Sequence, residues 1–190
     1  MTPTLVFATL AAAAGPLPVP PAAVVVTPQE QAALQRDEVV VRYQGPGKEL
    51  VAVVDIEATP ETTMREVMNL EARLAELSGV QNLEIYERSE GHVGARWDVG
   101  IAVFHATFHI QYDFDMALGW CVYALDESKE NSIQESRGSY QVYRVGAGSR
   151  MVYRSVSVGS SSTPEWLSRR LGTGSARDML GGIRARAEGQ

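Results

Sequence analysis

The stretch from Phe104 to Phe114 alternates without a break. Phe104, Ala106, Phe108, Ile110, Tyr112 and Phe114 share one parity; His105, Thr107, His109, Gln111 and Asp113 share the other. A period of two places each set on its own face of a strand. The segment therefore reads as a half-buried antiparallel strand roughly 35 Å long. Any fold open to this chain has to cover the aromatic face of that strand.

The flanking sequence repeats the pattern. Leu83, Ile85 and Glu87 alternate with Glu84, Tyr86 and Arg88. After a Glu90-Gly91 turn, Val93, Ala95, Trp97 and Val99 alternate with His92, Gly94, Arg96 and Asp98. Trp120 to Leu125, Ile133 to Tyr143 and Arg150 to Val158 add three strands, with turns at Asp126 to Ser132 and Gly146 to Ser149. Earlier in the chain, Gln29 to Arg36 fits a short helical turn. Glu38 to Tyr43 and Leu50 to Glu57 are β-rich runs parted by Gln44-Gly45-Pro46-Gly47. They predict a hairpin, or an edge strand followed by the first strand of the domain.

Two helical regions bracket the meander. Thr59 fits an N-cap, Pro60 the first helical position and Glu61 the positive helix end, with Met64, Val67, Met68 and Leu70 as the apolar stripe. A second short helix from Glu71 to Leu77 is expected to put Leu74 and Leu77 on one face before Gly79 ends it. At the other end Thr163, Pro164 and Glu165 open a long helix with Trp166, Leu167, Leu171, Met179, Leu180 and Ile183 as apolar members. Gly172 and Gly174 each cost about 1 kcal/mol against Ala there and mark a soft point. That helix is the element long enough to cover the sheet, and a curved sheet closing on one helix leaves a route to an internal cavity.

Composition removes several alternatives. The 190 residues carry a net charge of −6 and no long Lys/Arg run, so nucleic acid is not an expected partner. The single cysteine, Cys121, excludes an internal disulfide and a Cys-cluster zinc site. It has no flanking Lys, Arg or His and reads as a small buried hydrophobe. No long apolar stretch is free of proline, so no spanning helix is expected. Leu5 to Ala14 has the length of a signal-peptide core, Ala11-Ala12-Ala13 at its end offers an Ala-x-Ala cleavage site and Pro20-Pro21-Ala22-Ala23 a later one, although Met1 to Thr4 carries no basic residue. Residues 1–23 are expected to be a leader, which in a bacterium would direct the protein to the periplasm.

A catalytic or metal site is not written in the motifs. On a strand His105 and His109 share the polar face but stand roughly 13 Å apart, too far for one metal, and His92 lies at a turn without an evident partner. There is no Gly-x-Ser-x-Gly elbow and no phosphate-cradling glycine loop. Glu135 and Arg137 have the parity opposite to Gly138 and Tyr140, so they are placed outside as a cross-strand charge pair. No cofactor is expected. The last helix carries Arg169, Arg170, Arg177, Arg184 and Arg186, a solvated face or one suited to transient contact with anionic lipid.

Several short stretches occur in a recognisable order: Val54-Asp55-Ile56-Glu57-Ala58-Thr59-Pro60-Glu61, Ser78-Gly79-Val80-Gln81-Asn82-Leu83-Glu84-Ile85, Gly138-Ser139-Tyr140, Arg150-Met151-Val152-Tyr153 and Thr163-Pro164-Glu165-Trp166-Leu167. Together they resemble the START-like, or SRPBCC, superfamily, and within it the polyketide cyclase/coenzyme Q-binding branch. Met64 stands where that family usually has an aromatic, and Leu77-Ser78 where it often has Phe-Pro. The resemblance implies an α+β helix-grip fold over residues 50–187, preceded by an extension at 24–49. It also implies a hydrophobic ligand: a lipid, an isoprenoid quinone or a polycyclic aromatic. The expected wall residues are Trp97, Phe108, Ile110, Tyr112, Trp120, Tyr140, Trp166, Leu171 and Met179. The alternatives are a polyketide cyclase/aromatase-like enzyme, with Tyr112 and Tyr140 as its inward polar groups, and a cavity-less protein-interaction module.

Overall fold

The computed structural model describes residues 21, 23–45, 49–77, 79–101, 104–158 and 165–190. Thr27 opens α1 (Pro28–Leu34) with a capping box closed by Glu30. The strands β1 (Val40–Gln44) and β2 (Glu49–Ile56) form a hairpin. Thr59 then caps α2 (Pro60–Met68), its hydroxyl accepting from the Thr62 N–H. A 3-10 turn over Leu70–Ala72 leads into the single turn of α3 (Arg73–Glu76). The meander follows: β3 (Val80–Ser89), β4 (His92–Ile101), β5 (Phe104–Asp115), β6 (Trp120–Leu125), β7 (Glu135–Val145) and β8 (Gly148–Val158). The chain ends in α4 (Glu165–Ala187), which runs unbroken through Gly172 and Gly174. Thr163 and Pro164 lie outside the described residues, as does the leader over residues 1–20.

All eight strands join one antiparallel sheet in the order β1-β2-β8-β7-β6-β5-β4-β3. The segment read as an extension thus supplies one edge strand of the sheet, β3 being the other. Of the inward set on β5, Ile110 and Tyr112 join the main core with Trp97 and Tyr140, against Met64 and Val67 of α2 and Met179, Leu180 and Ile183 of α4. Burying one such side chain contributes about 1.5–3 kcal/mol. The sheet is therefore covered by α2 and α4 together. The opposite face has a small core of its own, where Leu34 of α1 packs on Val51, Val53 and Val152. β2 is buried on both faces, which is why its sequence is a near-continuous apolar run rather than an alternation. Arg150 pins the β2–β8 register: it donates to both carboxylate oxygens of Asp55, at 2.6 and 2.8 Å, and to Gln31 Oε1 on α1.

Several expectations change at this level. α3 turns Leu74 outward and buries Arg73, which is 2% exposed, because its one turn brings Arg73 rather than Leu74 against the core. Glu135 and Arg137 do lie outside, but they pair along β7 instead of across strands, at 2.5 Å. His92 has a partner: Asp113, directly opposite it in the ladder, lies 2.8 Å from its Nδ1. Arg184 donates to the Asp37 carbonyl, and Arg186 pairs with Glu66 and Glu76, so these two are tied to the protein rather than free for a membrane. Among the described residues no helix is long and apolar enough to cross a membrane.

Candidate functional site

A cavity of about 300 Å³ lies between the sheet and α4. Its apolar wall is built by strand register. Trp97 of β4 stands opposite Phe108 of β5, and Ile110 is the next inward residue along β5. Tyr112 and Tyr123 face each other across β5 and β6. Tyr140 of β7 and Tyr153 of β8 are likewise paired, with ring centroids 4.9 Å apart. α4 closes the space with Gly172, Ala176 and Met179. Ile110, Tyr140 and Met179 are buried, whereas Ser157 and Ser175 are exposed, so the space runs from a solvent-facing mouth to a closed floor.

Of the nine expected wall residues, Trp97, Phe108, Ile110, Tyr112, Tyr140 and Met179 line this cavity. Trp120 does not. It pairs with Asp115 and Gln141, and residues opposite one another in a ladder share a face, so Trp120 sits on the outer side with Asp115. The side chains of Trp166 and Leu171 lie outside the described residues. Sequence reasoning passed over Tyr123, Tyr153, Ser136, Ser155 and Arg73, all of which line the space. The hairpin itself carried the signal for Tyr123. Asp115 accepts from the Ala117 and Leu118 N–H groups, and Gly119 has φ 67°, a four-residue turn that pairs Asp115 with Trp120. That turn sends the odd positions of β6 inward.

The cavity is amphipathic. Tyr123 and Tyr153 hydroxyls are 2.9 Å apart. Tyr140 donates to Met179 Sδ at 3.2 Å and accepts from Arg73 Nη1 at 2.9 Å. Arg73 also donates to the Val67 carbonyl at 2.6 Å, and its guanidinium carbon lies 5.3 Å from the Tyr140 ring centre. Its Nε has no hydrogen-bond partner among the described residues. Burial opposes the guanidinium charge, but the surrounding tyrosine oxygens favour it and the net direction is upward, so Arg73 is a cation.

Burial also raises Tyr112, Tyr123 and Tyr140 well above the usual phenol range. These phenols are neutral donors near pH 7, not bases. Cys121, behind the tyrosines, is fully buried and its thiol is pushed up to about 12 by desolvation. The histidines stand elsewhere: His105 is exposed, and His109 packs edge-on against Tyr86 and contacts the Glu130 carbonyl. Among the described residues no group of three His, Cys, Asp or Glu converges.

No protein-family profile matches the sequence, and no curated protein matches it. Solved structures do. An aromatase/cyclase from a Streptomyces species superposes with a TM-score of 0.64 at 14% identity, over 74% of this chain and 93% of its own. A STAR-related lipid transfer protein from Xanthomonas axonopodis gives 0.62 at 12% identity, over 78% and 98%. A START superfamily protein from Mycobacterium smegmatis gives 0.60 at 14% identity, over 74% and 97%.

Proposed function

Since the chain has the START-like, helix-grip fold, we propose that it binds and shields a hydrophobic small molecule between the sheet and α4. The observation that carries this reading is the open space itself. A domain built only to be stable fills its interior to near crystal density. Here Trp97, Phe108, Ile110 and four tyrosines surround about 300 Å³ that they do not fill. The volume is at the small end of ligand pockets, which suits a compact ring system or a medium-length chain better than an entire isoprenoid tail. Apolar ligand surface buried there contributes roughly 25 cal/mol per Å² before the entropic cost of association.

Binding is favoured over catalysis by the state of the polar groups. Tyr112, Tyr123 and Tyr140 are neutral, and the Tyr123–Tyr153 and Tyr140–Met179 hydrogen bonds hold their rings in an arrangement that orients a ligand but does not abstract protons. The test is native mass spectrometry with organic extraction of protein taken from its own host, joined to titration with the neutral dye N-phenylnaphthylamine. Retention of an apolar molecule and saturable dye fluorescence are expected. Protein that carries nothing and leaves the dye dark has a closed interior, and the binding reading falls.

A further inference from the structure

Resting on that binding reading, we propose that the ligand is an apolar acid whose carboxylate is held by Arg73 at the closed end of the cavity. Three other arginines with little exposure each meet a carboxylate. Arg150 is matched by Asp55, Arg186 by Glu66 and Glu76, and Arg42 by Glu30. Arg73 is 2% exposed, yet among the described residues no carboxylate pairs with it. Its contacts are all neutral: a backbone carbonyl, a phenol and a thioether. A buried cation without a counter-charge costs more than an apolar residue of the same bulk. A site for apolar molecules in general is better built with Met or Leu at this position.

The unused donors point the same way. The guanidinium has five N–H groups arranged to meet a carboxylate. Among the described residues the Nε–H finds no acceptor. Tyr112 lines the same cavity, and no hydrogen bond to its hydroxyl is made among the described residues. An acid entering past Ser157 and Ser175 can lay its chain along Trp97, Phe108 and Ile110 and bring its head to Arg73 and Tyr112. The ligand then supplies the anion that the protein leaves out.

Three probes of equal chain length test this: decanoate, decanol and decylamine, each displacing N-phenylnaphthylamine from the wild-type protein at pH 8. Decanoate is expected to displace the dye at a concentration at least about tenfold below decanol, with decylamine weakest, as a charge-assisted hydrogen bond implies. In Arg73→Met, the ratio of the decanol to the decanoate displacement concentration is expected to fall to about one. Equal displacement by decanoate and decanol in the wild type overturns the proposal and leaves hydrophobic binding standing. That comparison needs no variant, so it holds even if Arg73→Met does not fold. Failure of the wild type to bind the dye or any of the three probes removes both readings.

Discussion

Gly138 shows how one missing methylene shapes this interior. It lies on β7 between Tyr123 and Ser155 of the neighbouring strands. A Cβ there would collide with the Arg154 carbonyl oxygen and come within 2.5 Å of the Tyr123 hydroxyl. The backbone atom cannot retreat without breaking the β7–β8 ladder, so the Tyr123 ring would be driven into the cavity. Gly138→Ala is expected to cost about 1–3 kcal/mol by urea denaturation and to weaken N-phenylnaphthylamine binding; unchanged dye affinity would show that Tyr123 does not bound the ligand space. Cys121 is a second residue-scale case. Burial pushes its thiol up to about 12, so the thiol form dominates at pH 8. Labelling by an aromatic disulfide reagent is expected to proceed no faster than unfolding. Arg73 was beyond reach of local reading: on a one-turn helix a charged residue defaults to solvent, and nothing adjacent to it in sequence announces the cavity.

At the scale of elements, α1 secures the edge of the sheet from the outside. Leu34 is 2% exposed and is the side chain by which α1 enters the small core on Val51, Val53 and Val152. Leu34→Ala is expected to cost about 2–4 kcal/mol in a urea titration, with dye binding retained because the cavity lies on the other face. A loss below about 0.5 kcal/mol would mean that α1 is dispensable to the sheet. This dependence is where local reading stops. The strands of the meander and the caps of α2 were legible because alternation and capping are local properties of the chain. The inward side of β5 was legible for the same reason. Trp120 was misplaced because its face depends on the turn from Asp115 to Gly119, not on its own hydrophobicity. Tyr123 and Tyr153 followed it out of view, since an isolated tyrosine fits either face of a strand.

The whole molecule carries an alkaline weakness that follows from the same cavity. Tyr112, Tyr123 and Tyr140 are all raised above the ordinary 10.0, and Cys121 above the ordinary 9.0, with burial as the first cause in each. In the unfolded chain these groups ionise near their ordinary values; in the fold they keep their protons. As pH climbs past 9 the unfolded state therefore binds fewer protons than the folded one, and stability falls with pH. The loss begins with Cys121 near pH 9, steepens as the phenols join near pH 10, and continues until the raised folded values are reached. Each group contributes roughly 1.4 kcal/mol per pH unit within its window. Below pH 7 the four contribute almost no slope. Urea midpoints measured from pH 8 to 11 are expected to drop with growing steepness, and full tyrosinate absorbance of the chain is expected only once secondary structure is lost. Tyr112→Phe should make the drop shallower above pH 10 by about one proton, because it removes one group that only the unfolded chain can ionise. A tyrosine titration that reaches the full amplitude of all seven phenols near pH 10 with the fold intact would mean that solvent reaches Tyr112, Tyr123 and Tyr140, and that the floor of the cavity is open.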